Sequence, residues 1–185
     1  MKKRVWMVIS LILAVVPLLI PLGGAHGIAQ QEKWVARYNG PGNGSDGASA
    51  IAVDGSGNVY VTGYSEGSGT DSDYATIKYN TNGKLLWVKR YNGPGNDYDY
   101  AFAIAVDGSG NVYVTGYSVG SGTDSDYATI KYNTNGKLLW VKTYNGPGND
   151  YDDALAIAVD GSGNVYVTGW SWGSATDKDY PTIKY

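Results

Sequence analysis

Apolar and polar residues alternate in short runs along most of this chain. In Asn58-Val-Tyr-Val-Thr-Gly-Tyr64, Val59 and Val61 fall on one side and Tyr60, Thr62 and Tyr64 on the other. A period of two predicts a half-buried β-strand, and β-branched and aromatic residues suit its pleated surface. Lys33-Trp-Val-Ala-Arg-Tyr38 and Asp73-Tyr-Ala-Thr-Ile-Lys-Tyr79 also read as strands, as does Ala48-Ser-Ala-Ile-Ala-Val53. In the last of these Ala48, Ala50 and Ala52 are expected to share one face and let another backbone come close. Beyond the N-terminal apolar run no window carries a convincing 3.6-residue period, so the chain is predicted to be all-β.

Turn residues separate the runs. Asn39-Gly-Pro-Gly-Asn43 reads as a type II turn, with Pro41 fixing φ at its second position and Gly42 accepting positive φ at its third. Asp54-Gly-Ser-Gly-Asn58 is a tight connection, and Asn82-Gly83 is a strong hairpin dipeptide.

The whole pattern then returns. Asp54–Gly63 recurs unchanged at Asp107–Gly116 and at Asp160–Gly169, 53 residues apart each time. A fixed period of this size means one supersecondary unit copied in tandem. Calling Ala48–Val53 strand A, the others follow as B, C and D, with A strands near 48–53, 101–106 and 154–159 and a leading D strand at 33–38. Four antiparallel strands copied in series predict the blades of a β-propeller rather than a sandwich.

The run Asp-Gly-Ser-Gly-Asn-Val-Tyr-Val-Thr-Gly, followed by a Ser/Gly loop and Tyr-Ala-Thr-Ile-Lys-Tyr-Asn, resembles the bacterial β-propeller repeat called SBBP. Its Asp…Gly-Asn-Val-Tyr-Val core is also similar to NHL repeats. The resemblance implies an extracellular or cell-surface propeller without an assigned catalytic site, usually within a longer array. Three blades are fewer than the four to eight of natural rings. Two expectations follow. Either the chain is a truncated piece, or two copies combine as a homodimer into a six-bladed ring, each lending its leading D strand to the other.

The first 29 residues fall outside this pattern. Lys2, Lys3 and Arg4 precede an apolar run from Val5 to Ile20, and small residues follow at Gly23, Gly24, Ala25, Gly27 and Ala29. That order predicts a cleavable secretory signal peptide, leaving 30–185 as the propeller domain, secreted or at the cell surface. The run is short of the about 20 residues a membrane span needs. Without the leader the balance is 11 Lys and Arg against 17 Asp and Glu, which does not suit nucleic acid. There is no Cys, and the single His26 lies in the leader. Most nucleophile–base pairs and transition-metal sites are thereby removed, and no cofactor is expected.

Copies one and two differ at six of 53 positions, and 11 of the 46 positions shared by all three copies vary. Most of these lie in or beside the D–A and B–C loops: Gly44/Asp97/Asp150, Ser45/Tyr98/Tyr151, Gly47/Tyr100/Asp153, Ser49/Phe102/Leu155, Tyr64/Tyr117/Trp170 and Glu66/Val119/Trp172 among them. Both loops should leave one end of the blades. Tyr98, Tyr100, Phe102, Tyr151, Trp170 and Trp172 would then give that end an aromatic character suited to sugars or protein surfaces. Drift in young duplicates explains the same variation.

The remaining chemistry is acidic. Asp71, Asp73, Asp97 and Asp99, with Asp124 and Asp126 in the next copy, could converge on calcium. Asx-turns and solvated loops account for them equally well. Carboxylate pairs also suit glycoside hydrolysis, but a catalytic site is normally one asymmetric constellation and not a repeated one. Trp34, Trp87 and Trp140 share one repeat position, which predicts stacking between blades. The functional expectation is a non-enzymatic binding or adhesion module. The alternatives are a purely structural segment of a larger cell-surface protein and a carboxylate-based carbohydrate enzyme.

Overall fold

The alternation of valines and tyrosines sets two different faces on every sheet. The computed structural model describes residues 31–185, and in this range the chain is all-β and without helices. The predicted leader lies outside the described residues. β1 (Asp46–Val53), β2 (Val59–Glu66), β3 (Ser72–Tyr79) and β4 (Leu85–Tyr91) form the first antiparallel sheet in that order. β5 (Asp99–Val106), β6 (Val112–Val119), β7 (Ser125–Tyr132) and β8 (Leu138–Tyr144) form the second. In the third, β9 (Asp152–Val159) pairs with β10 (Val165–Trp172), whose other edge carries β11 (Lys178–Asp179) and β12 (Thr182–Lys184). Pro181 separates these two pieces where the other copies have Ala75 and Ala128, because proline has no N–H for the ladder. No helix among the described residues is long and apolar enough to cross a membrane.

The sheets pack in series as open sheets rather than a closed ring, with the A strand β5 lying against both β1 and β9. At each interface the tyrosine face of one sheet meets the valine face of the next. Tyr60 and Tyr74 of the first sheet are buried against Val112, Val114 and Ile130 of the second. Tyr113 and Tyr127 repeat this against Val165 and Val167 of the third. Several polar groups on the tyrosine side are paired as well, though the buried Tyr127 hydroxyl is not. Tyr74 Oη donates to the Ala128 carbonyl at 3.1 Å, and Thr115 and Thr129 hydroxyls pair at 2.9 Å across the second sheet.

The tryptophans stack between sheets as expected. Trp87 lies 6.0 Å from Tyr60 of its own sheet and 6.3 Å from Tyr132 of the next. Its indole N–H donates to the Thr134 carbonyl at 3.2 Å. Trp140 bridges Tyr113 and Tyr185 in the same way.

Three sequence expectations are corrected. The D strand anticipated at 33–38 is not a strand. Trp34 still sits 6.1 Å from Tyr79 and donates to Thr81 O at 3.2 Å, the contacts of its repeat mates. The segment packs like a D strand but has no C strand beside it to supply a hydrogen-bonded ladder. The Asn-Gly-Pro-Gly-Asn turn is not type II. Positive φ falls on Asn43, Asn96 and Asn149 at 55°, 53° and 51°, and not on the preceding glycines. Asparagine tolerates the left-handed region because its side chain bonds locally; here Asn43 Oδ1 accepts from Asn39 Nδ2 at 2.6 Å. Finally, the three alanines do not share a face. The register of β1 against β2 slips between Ala48 and Ala50, making Ser49 a bulge. Ala48 lies opposite Gly63, while Ala50 and Ala52 lie opposite Thr62 and Tyr60. Phe102 and Leu155 are the matching bulges.

The Asp54–Asn58 turn forms as read. Asp54 Oδ1 accepts from the N–H groups of Ser56 and Asn58, and Oδ2 accepts from Asn58 Nδ2 and Tyr60 Oη, all at 2.8–2.9 Å.

Candidate functional site

Backbone hydrogen bonds fasten each D–A loop to the end of its B strand. Gly42 N donates to Glu66 O, Gly95 N to Val119 O and Gly148 N to Trp172 O, at 2.9–3.2 Å. The variable residues on these two loops are therefore neighbours in every repeat.

The second repeat turns this position into a run of rings. Tyr100 lies opposite Tyr117 in the β5–β6 register and stacks on it at 5.5 Å. Tyr98 stands 6.2 Å from Tyr100, and Phe102 stands 5.7 Å from Tyr117. Across the interface Tyr64 of the first sheet approaches Tyr100 to 4.6 Å. Tyr98 is 49% exposed and stands at the solvent end of the run. The structure thus brings Tyr98, Tyr100 and Phe102 together and adds Tyr64 and Tyr117. Their position varies between copies, but only the register shows that each faces the variable position 47 or 100 across the strand pair. Tyr151, Trp170 and Trp172 do not join the run. Tyr151 is exposed, and Lys178 Nζ sits 3.3 Å from the Trp170 ring centre, covering that face by a cation–π contact.

The acidic residues do not converge as a calcium site of four carboxylates. Among the described residues no three carboxylates come together as a metal-binding group. Asp71 and Asp124 accept loop N–H bonds through their backbone carbonyls, from Gly67 at 3.0 Å and Gly120 at 3.1 Å. Asp97 Oδ1 caps the Tyr98 N–H at 2.7 Å. Asp73 pairs with Arg90 at 2.7 Å, Asp126 accepts from Thr123 at 2.9 Å, and Asp99 accepts the Gly93 N–H at 2.6 Å. None of these contacts is an Asx-turn: Asp97, Asp99 and Asp126 each hold a nearby loop group, and Asp73 joins β3 to Arg90 of β4.

Two carboxyls titrate in opposite senses. Burial pushes Asp99 up to about 6, only partly offset by the Gly93 N–H. At Asp54 burial also acts upward, but donors from Asn58, Tyr60 and Ser56 outweigh it and hold the carboxyl at about 2. An unfolded Asp titrates near 4, so folded Asp99 holds a proton between about pH 4 and 6 that the unfolded chain has lost. Acidifying across that window therefore stabilises the fold. Below about pH 4 the unfolded chain protonates first at Asp54, and stability falls toward pH 2. Urea midpoints measured from pH 7 to 2.5 should peak near pH 4, and Asp99→Asn should flatten the upper limb. A steady decline from pH 7 downward would contradict this.

A cavity of about 310 Å³ lies against the valine face of the first sheet, lined by Trp34, Tyr38, Ile51, Val61 and Ile77. At the other two interfaces the corresponding face is covered by a pair of tyrosines from the neighbouring sheet.

No curated protein matches the chain. Among solved structures, a fucose lectin from Kordia zhangzhouensis in complex with methyl-fucoside aligns at 13% identity and a TM-score of 0.41, over 75% of this chain and 96% of the lectin. The family profile of the SBBP beta-propeller repeat matches residues 33–69, 86–122 and 140–174, one match per copy and more than half of the chain. The chain belongs to the SBBP beta-propeller repeat family.

Proposed function

We propose that this is an exported, non-enzymatic binding module that presents the D–A and B–C loops of its second repeat to a glycan or a protein surface. The observation that carries the reading is the run Tyr98–Tyr100–Tyr64 with Tyr117 and Phe102. Stacked rings with one open end offer a rigid apolar platform at low entropic cost. The first copy has Ser45, Gly47 and Ser49 at these positions, so the platform is not required to hold a blade together. A catalytic carboxyl is disfavoured by access. Asp99 has the raised pKa of a general acid, yet it is fully buried.

A glycan array probed with the full chain tests the reading. Tyr98→Ala should weaken any binding at least tenfold, whereas Trp172→Ala should leave it unchanged. Equal effects, or release of reducing sugar, would overturn the assignment.

The partner that completes the first and third sheets is, on this reading, a second copy of the chain. The first sheet's valine face and the third sheet's tyrosine face, where Tyr180 is 85% exposed, repeat the chemistry of the two interfaces inside the chain. Sedimentation of the chain without its leader should give a dimer, and a monomer at high concentration would rule it out.

A further inference from the structure

One row of polar residues crosses the inner strands of each sheet on the valine face. In the first repeat it is Asp46, Ser65 and Asp73, directly opposite one another in the β1–β2–β3 register. Arg90 from β4 reaches into this row. Its guanidinium donates to the Ser65 hydroxyl, to the Ser65 carbonyl at 2.7 Å and to Asp73 at 2.7 Å. The second repeat has the same row, Asp99, Ser118 and Asp126, in the same register. There the position of Arg90 is held by Thr143, which is exposed and carries no charge.

Ser118 Oγ then has no hydrogen-bond partner, whereas Ser65 Oγ accepts from the guanidinium; Asp99 Oδ1 and Asp126 Oδ1 also lack one, as Asp46 Oδ1 and Asp73 Oδ1 do in the first row. Asp99 is 0% and Ser118 2% exposed. Burial without a partner costs a polar group about 1–3 kcal/mol and a charged one more. Tyr91 from the first sheet packs over the row, and its hydroxyl is shifted upward by burial and by the nearby Asp99 carboxyl. Burial likewise raises both carboxyls.

We propose that the Asp99–Ser118–Asp126 row binds a calcium-class divalent cation, which takes the role that the Arg90 guanidinium plays in the first repeat. The donor set is all oxygen, comprising two carboxylates, a hydroxyl and the Ser118 carbonyl, whose counterpart Ser65 O already serves a cation. Hard divalent cations take this ligand type. The two carboxylates come from β5 and β7, so the ion ties the innermost strand to the third across β6. The inference is independent of the aromatic platform.

The experiment uses the chain without its leader, freed of metal by chelation and titrated with calcium by calorimetry. Wild type should bind calcium and gain roughly 5 °C in Tm at saturating ion. Thr143→Arg supplies the guanidinium from within. It should raise the metal-free Tm and remove one equivalent of bound calcium. Asp126→Asn, which keeps the side-chain shape, should weaken binding at least tenfold. The third repeat carries a similar row, Asp152, Ser171 and Asp179, with Asp179 exposed, so the loss is read as one equivalent against wild type. No calcium heat in wild type, or unchanged stoichiometry in Thr143→Arg together with unchanged affinity in Asp126→Asn, would overturn the proposal.

Discussion

Tyr113→Ala should cost about 3–5 kcal/mol of unfolding free energy, the range for truncating a large buried ring. The same change at Tyr166, in an identical local sequence, should cost about 1 kcal/mol, typical of a partly open site. Both tyrosines donate to the aspartate of their own turn, Asp107 at 2.9 Å and Asp160 at 3.2 Å. Both carry a lysine over the ring, Lys131 at 4.9 Å and Lys184 at 5.5 Å. They differ in cover. Tyr113 is fully buried among Val165, Val167 and Trp140, whereas Tyr166 stays half-buried beside a shallow surface depression. The contrast isolates what stacking contributes beyond the blade itself. Urea unfolding of the two variants measures it, and equal losses would show that the blades are held from within.

Gly116→Ala should destabilise by about 3 kcal/mol or more, at or above the usual cost of overpacking. A Cβ at Gly116 would run into the Tyr100 carbonyl oxygen and stand 2.9 Å from Ala101 Cα. Both are backbone atoms of β5, and neither can rotate away. The approach is this close because β5 bulges at Phe102, crowding its strand against β6 there. Gly108→Ala is the control. Nothing lies within 4 Å of a Cβ at that position, and its φ is not positive, so the change should stay within about 0.5 kcal/mol. Thermal unfolding of both variants decides. A benign Gly116→Ala would mean that β5 can shift without loss.

The architecture was readable because each cue repeats three times. Alternating valine and tyrosine, Asn-Gly turns and the tryptophan position all survive translation into three dimensions. What escaped depends on partners that lie far away in sequence. Residues 33–38 alternate like a strand, yet a strand exists only beside another strand. The bulge at Ser49, Phe102 and Leu155 leaves no mark in a run of alanines, so Ala48 was placed on the wrong face. Gly42 looked like the residue with positive φ because glycine usually is, but the neighbouring asparagines satisfy their own side chains in that conformation. In the candidate site the differences between copies mark Tyr98, Tyr100, Phe102 and the Tyr64/Tyr117 position, and only the register sets Tyr64 and Tyr117 opposite 47 and 100. Trp170 was legible as an aromatic. Its cover by Lys178, eight positions on, appears only when β10 and β11 are paired.

Trp87 and Trp140 are each joined to one sheet by their backbone and to the next by their ring. The joint is the same at both boundaries, so a duplicated gene segment of 53 codons arrives with both halves already fitted. Length in such a lineage can change by whole copies without any compensating substitution, and selection is then left free to act on the loop residues alone.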